Sequence, residues 1–234
     1  MNIHIPWRVQ RTAYLIYQGI RSGLSHLSRR KPSGLDVSFY SNYHQATTGA
    51  TIAISCIANQ LANQHNVDGF VTPYSGFSRQ FSLNVRQKFK AKSLAGNIVF
   101  VDIEQESKEL ERLLSEGRKV ILTCHALPEF FHAVPQEKLI RNLELASYVH
   151  FVSESQRSEH LDTYPELNLE SKSFFIPNYT RQSFKHKKTG NIGVVGYLSR
   201  PDKNACEAIS LASRSEANII ECWGSEEIYG IDKP

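Results

Sequence analysis

Two loops of the sequence carry residues that could bind a diphosphate, and each leads from a predicted strand into a predicted helix. The first loop ends at Gly49, and the second begins at Gly196 and contains Arg200 and Lys203. A helix N-terminus attracts anions through its free N–H groups and its dipole, and the two cationic side chains add formal charge. The sequence therefore predicts two candidate anion sites. An ordinary βα turn and a solvated basic loop are the respective alternatives.

Histidines also follow two of the predicted strands. His125 comes directly after the apolar run KVILTC, and His44 lies in a comparable position after the first predicted strand. Open α/β sheets bind ligands at the carboxyl ends of their strands, so His125 is a candidate catalytic residue. A structural hydrogen bond is the alternative for a single histidine. Asp102 and Glu104 lie at the end of another predicted strand, and we interpret them as its solvent-facing end and predict no metal site.

The basic residues are distributed unevenly along the chain. The net charge is +4 over 234 residues, yet residues 1–35 contain six basic residues and no acidic one. This basic, aromatic-containing N-terminal arm could lie on an anionic membrane surface through residues 1–31. Packing against the body of the protein and contact with a partner protein are the alternatives. The rest of the chain is slightly acidic, and we expect no nucleic-acid partner.

The sequence shows neither a membrane-spanning run nor a secretory signal. No window reaches the roughly 18–20 consecutive apolar residues of a spanning helix, and the N-terminus lacks the features of a signal peptide. Four cysteines lie far apart without a Cys-x-x-Cys pair, which is typical of free thiols in a reducing compartment. We therefore expect a cytoplasmic protein, with peripheral attachment at the inner face of the membrane if the arm binds lipid.

Strand and helix patterns alternate along most of the chain, which predicts an α/β fold with a parallel sheet covered by helices. The alternation predicts an N-terminal Rossmann-like domain over residues 36–180. A short basic linker, residues 181–190, separates it from a second α/β unit over residues 191–234 that we expect to be incomplete. The residue pattern of the segment 74–96 does not distinguish a helix from a loop.

Several stretches of the sequence resemble the family 4 glycosyltransferases. They are ELASYVHFVSESQRSEHL, FFIPNYT, NIGVVGYLSRPDKN and ACEAISLA, and they occur in the family's order and spacing. The resemblance implies the GT-B architecture, in which two Rossmann-like domains face each other across a cleft. It also implies retaining transfer of a sugar from a nucleotide-diphosphate sugar to an acceptor hydroxyl, in polysaccharide or glycolipid synthesis, without a metal or other cofactor.

The resemblance further implies roles for individual residues. Lys203 would grip the donor phosphates, Gly49 would lie near the diphosphate, and His125 would lie near the transferred sugar. Gly196 matches the glycine at the strand end. The family often has arginine directly after that glycine; because Tyr197 stands there, we expect Arg200 to supply the charge. The acceptor would be a sugar or a lipid-linked molecule bound by the N-terminal domain.

One element of the family pattern is missing from the sequence. The Glu–seven residues–Glu motif would lie beyond Pro234, which leads us to expect a fragment or a truncated protein. A truncated, catalytically inactive relative that binds a partner is therefore one alternative function. A Rossmann-type nucleotide-binding oxidoreductase is another, although Gly190, Gly193 and Gly196 do not form the Gly-x-Gly-x-x-Gly fingerprint.

Overall fold

The chain divides into two compact units, Met1–Arg181 and Gln182–Pro234. The computed structural model describes residues 7–27, 35–41, 49–72, 79–131, 134–177, 192–195, 205–215 and 219–223. The strands of the first unit are β1 (Asp36–Tyr40), β2 (Asn66–Phe70), β3 (Val85–Lys88), β4 (Ile98–Asp102), β5 (Lys119–Cys124), β6 (Tyr148–Phe151) and β7 (Ser173–Phe175). Its α-helices are α1 (Trp7–His26), α2 (Gly49–Leu61), α3 (Ser107–Ser115), α4 (Gln136–Leu145) and α5 (Glu154–Thr163).

The seven strands form one sheet in the order β3-β2-β1-β4-β5-β6-β7, and every neighbouring pair is parallel. Helices flank the sheet, so this unit is a parallel α/β domain of a kind compatible with a Rossmann-like fold. The predicted α/β class is therefore confirmed. In the second unit, β8 (Ile192–Val195) and β9 (Ile220–Trp223) pair in parallel, with α6 (Ala205–Ser213) between them in sequence.

Two apolar clusters lie on opposite faces of the sheet because side chains alternate along each strand. Phe39 of β1 and Phe100 of β4 are neighbours in the ladder and stack with ring centroids 4.7 Å apart, on the face covered by α2. Tyr40 and Val101 belong to the other cluster, in which α3 and α4 pack against β4, β5 and β6. Burial on both faces explains why these strands are almost continuously apolar in sequence.

β3 is the strand that the sequence did not reveal, and it lies within the segment 74–96, which the sequence left undecided between helix and loop. Its residues VRQK carry two cationic side chains, which hid the strand pattern. The structure accommodates the first of these charges through an ion pair. Arg86 Nε lies 2.8 Å from Asp68 Oδ1 on neighbouring β2, and the aspartate is almost fully buried. Helix α3 ends at Ser115, and Gly117, two residues later, has the left-handed φ of 75° that favours glycine after a helix.

The N-terminal arm forms α1, a 20-residue helix that packs along β3 at one edge of the sheet. Among the described residues, no helix combines the length and the apolarity required to cross a membrane.

Candidate functional site

The candidate site lies at the carboxyl edge of the seven-stranded sheet. The chain moves from β1 toward β3 in one direction and from β4 toward β7 in the other, so the strand order reverses between β1 and β4. The loops on the two sides of such a reversal diverge and leave a crevice, which is where open α/β sheets bind their ligands. The carboxyl ends of β1, β4, β5 and β6 all meet at this edge.

Helix α2 brings its N-terminus to this edge. It begins at Gly49, as the sequence predicted, and it returns the chain from the carboxyl end of β1 to the amino end of β2. Ile54 and Ala58 of α2, and Ala62 directly after it, are buried against the sheet and hold the helix on it. Its first turn contains no acidic side chain that would oppose an anion. The residues between Ser41 and Gly49, including His44, lie outside the described part of the chain.

His125 directly follows β5 at the same edge, where the sequence placed it. Both of its ring nitrogens are buried, and neither has a hydrogen-bond partner. Burial, assisted by the nearby His150, lowers the pKa of His125 to about 4. The imidazole is therefore neutral at pH 7, with one donor and one acceptor to offer. Because unpartnered buried polar atoms are rare and costly, these two nitrogens mark a position that a polar ligand could satisfy.

Two neighbours of His125 restrict the chemistry available at the end of β5. Cys124 is fully buried, and burial together with the charge of Asp102 raises the pKa of its thiol well above the usual range. The thiol therefore stays protonated and is unsuited to act as a nucleophile. His150 on β6 lies 3.3 Å from the carbonyl oxygen of Ile176 through Nε2, and burial lowers its pKa as well.

The interpretation of Asp102 as the solvent-facing end of β4 was wrong. Its side chain is only 6% exposed, and Oδ1 accepts a hydrogen bond from the backbone N–H of Glu104 at 3.1 Å. The carboxylate is buried because it closes the turn that follows the strand, as aspartate often does. Glu104 is exposed, as expected. In the part of the chain that the structure describes, no cluster of three or more His, Cys, Asp or Glu side chains forms a metal site.

A cavity of about 510 Å³ opens beside the loop that begins at His125, and no pattern in the sequence indicates it. Three aromatic side chains lie around His160, namely Phe131, Phe151 and Tyr164, and two of them, Phe131 and Tyr164, also line the cavity. Its lining residues are Pro128, Glu129, Phe131, Val134, Gln136, Leu139, Glu159, Thr163 and Tyr164. The cavity thus combines apolar lining residues with two carboxylates, two hydroxyls and an amide, a composition typical of small-molecule sites.

The remaining predicted site residues cannot be placed beside these. Gly196, Arg200 and Lys203 belong to the loop between β8 and α6 and lie outside the described residues. The structure therefore brings Gly49 and His125 to one edge of the first unit and leaves the predicted donor loop undescribed. Comparison of the sequence with protein-family models finds no match, and comparison with curated proteins finds none either.

Proposed function

We propose that the chain transfers a sugar, with retention of configuration, from a nucleotide-diphosphate sugar to an acceptor hydroxyl. In this proposal, which is a GT-B arrangement, the second unit is the main donor-binding unit. The first unit binds the acceptor and also contacts the donor through α2 and His125. The observation that carries the proposal is the buried, unpartnered and neutral imidazole of His125 at the carboxyl edge of the sheet. The resemblance of the sequence around β6 and β8 to family 4 glycosyltransferases supports the same assignment.

The chemistry suits a neutral histidine that orients a sugar. One ring nitrogen of His125 donates to a hydroxyl oxygen and the other accepts from a hydroxyl, which satisfies both atoms. A pKa of about 4 leaves almost no imidazolium at pH 7, so His125 would position a hydroxyl and would not act as a general acid. Polar atoms that are unsatisfied without ligand favour a ligand rich in hydroxyl groups over an apolar one.

The positions of α2 and His125 suit a donor that is charged at one end and neutral at the other. β1 and β5 are separated by one strand, so their carboxyl ends lie about 10 Å apart at the usual strand spacing. The N-terminus of α2 follows β1, and His125 follows β5. The diphosphate would lie toward α2, and the sugar would extend toward His125.

Stabilisation of the leaving diphosphate needs cations or oriented dipoles where negative charge develops. We assign this role to Lys203 and Arg200, together with the N-termini of α2 and α6. The departing phosphate would accept the acceptor proton, so the reaction would need no metal. The cavity lined by Phe131 and Tyr164 is our candidate for part of the acceptor site.

Calorimetric titration with UDP and GDP tests the donor half of the proposal. We expect micromolar binding of one diphosphate, and we expect Lys203→Ala to weaken it by about tenfold or more because a charged hydrogen bond is lost. The control is Lys119→Ala, since Lys119 is an exposed lysine at the amino end of β5. Absence of binding of both UDP and GDP would refute the proposal. Binding of NAD without binding of UDP or GDP would favour an oxidoreductase.

Sugar transfer itself separates an active enzyme from an inactive, partner-binding relative. His125→Ala should abolish most hydrolysis or transfer of the bound nucleotide sugar while leaving the Kd for the free diphosphate within about twofold. The wild-type protein could instead bind the diphosphate and turn over no donor with any acceptor supplied. That result would favour the inactive, partner-binding relative.

A further inference from the structure

Helix α1 faces the protein with its polar side. Gln18, Ser22 and Ser25 recur at spacings of four and three residues, which places them on one face of the helix. All three are buried, with exposed fractions of 1%, 7% and 0%. A helix on a globular domain normally buries its apolar face, so the orientation of α1 is the reverse of the usual one.

The edge of the sheet explains why the polar face is buried. β3 is an edge strand, and an edge strand leaves backbone groups without partners. The hydroxyl of Ser22 donates to the carbonyl oxygen of Gln87 at 3.1 Å, and the N–H of Gln87 donates to Ser25 Oγ at 3.1 Å. Arg21 donates to the carbonyl oxygen of Phe81. The polar side of α1 therefore supplies the hydrogen bonds that a further strand would have made.

The opposite side of α1 is an apolar stripe. Its members are Ile16, Ile20, Leu24 and Leu27, which are 58%, 59%, 47% and 76% exposed. Spacings of four, four and three residues keep them in one row. Several large apolar side chains in a contiguous exposed row are uncommon on a soluble surface and mark a contact site.

The charge around the stripe indicates what it contacts. The first 35 residues hold six basic side chains and no acidic one, and Arg8, Arg11 and Arg21 lie on α1 itself. A second copy of the chain would bring the same net positive charge of its first 35 residues toward this one, and like charges repel. A surface of anionic phospholipids supplies dense negative charge together with an apolar interior beneath it.

We propose that the apolar stripe of α1 is a docking surface for an anionic phospholipid bilayer. The helix would lie in the plane of the interface, with Ile16, Ile20 and Leu24 inserted among the acyl chains and the net positive charge of the arm attracted to the headgroups. The hydrogen bonds between the polar face of α1 and β3 would remain, because the bilayer would contact only the opposite, apolar side of the helix. This proposal does not depend on sugar transfer, and each can fail without the other.

Vesicle co-sedimentation tests the proposal. The probes are vesicles of phosphatidylcholine with and without a third of phosphatidylglycerol. We expect the protein to bind only the anionic vesicles, and to lose about tenfold of its affinity between about 50 and 500 mM NaCl through screening. Absence of binding to anionic vesicles, or equal binding to both kinds, would overturn the proposal.

The paired variants assign the binding to the stripe. Ile16→Ser/Ile20→Ser should weaken binding to anionic vesicles by about tenfold or more, because two buried apolar contacts are lost. The control Leu83→Ser/Leu211→Ser replaces side chains that are 47% and 59% exposed elsewhere, and it should bind like the wild type. Equal binding by the two variants would overturn the proposal.

Two further measurements separate the remaining explanations. Circular dichroism and the urea midpoint should be the same for the stripe variant and the control, which excludes unfolding as the cause of lost binding. Sedimentation equilibrium without lipid tests whether a second copy of the chain covers the apolar stripe instead. A dimer that the wild type forms and Ile16→Ser/Ile20→Ser loses would assign the stripe to a second copy and overturn the lipid proposal.

Discussion

Lowering the pH from 7 to 5 should destabilise the first unit through His125. Its pKa is lowered to about 4 in the folded protein, from about 6.5 in an unfolded chain. The unfolded state therefore binds more protons as the pH falls below about 6.5, and protons favour unfolding. The contribution of His125 to stability is complete above that pH and is lost progressively as the pH falls toward 4.

The magnitude follows from the two pKa values. Proton linkage between pH 7 and pH 5 removes about 2 kcal/mol from the free energy of unfolding for a shift of this size. Burial lowers the pKa of His150 and of His160 as well, so these two residues add to the loss with the same sign. The usual carboxylate pKa values lie near 4, so this pH range reports mainly on histidines.

Urea denaturation at both pH values, followed by circular dichroism, measures the effect. His125→Gln removes the titrating group and keeps a polar side chain, so its own effect on stability cancels in the comparison between pH values. The variant should lose about 2 kcal/mol less than the wild type between pH 7 and pH 5. Titration of the imidazole signal of His125 by NMR gives the folded pKa directly.

Equal pH dependence in the wild type and in His125→Gln would refute this reasoning. It would mean that His125 is not held away from water, and the argument for an unsatisfied imidazole at the sheet edge would fail with it. An NMR pKa near 6.5 would lead to the same conclusion. A diphosphate sugar bound at the site should change the imidazole chemical shift at pH 7, whereas the free diphosphate should change it much less.

Two substitutions in or beside the sheet should lower stability, Arg86→Met by breaking a buried ion pair and Gly96→Ala by a steric clash. Arg86→Met removes the charged partner of the buried Asp68, which keeps the hydrogen bond from the N–H of Ala95, and should cost about 3–5 kcal/mol in urea denaturation. In contrast, Arg141→Met breaks two exposed ion pairs and should hardly move the midpoint. Gly96→Ala would place a Cβ 2.5 Å from the backbone of residues 37 and 38 and should cost about 1–3 kcal/mol or more. Its control, Gly19→Ala on α1, meets no atom within 4 Å and should stabilise the protein by up to about 1 kcal/mol. A melting temperature for Gly96→Ala at or above that of the wild type would contradict the close approach.

The sheet could be predicted from sequence because its strands are buried on both faces. β4 and β5 are short apolar runs, and burial on both sides requires that composition. β3 could not be predicted in this way because it lies at the edge and carries Arg86. The partner that makes this arginine tolerable, Asp68, lies on another strand and comes close only through the ladder between β2 and β3.

The candidate site was predictable in position but not in its electrostatics. Parallel strands with helical crossovers bring every strand end to one edge, so the positions of Gly49 and His125 followed from the alternation of patterns alone. The lowered pKa of His125 comes first from burial and then from His150, which the pairing of Thr123 with His150 between β5 and β6 brings close. That pairing joins residues far apart in sequence, so no local pattern reports it.

The orientation of α1 shows how an unpaired strand can decide which face of a helix is buried. Its sequence has an apolar face and a polar face, and the usual rule would bury the apolar one. Without its serines, β3 would leave the N–H and carbonyl groups of Gln87 without these partners, at a cost of about 1–3 kcal/mol for each buried group. The serine hydroxyls avoid that cost, so Ser22 and Ser25 face inward and Ile16 and Ile20 must face outward. The apolar stripe is therefore exposed because the polar side of α1 makes the hydrogen bonds at the sheet edge. Burying the stripe requires an apolar surface that the described part of the first unit does not provide.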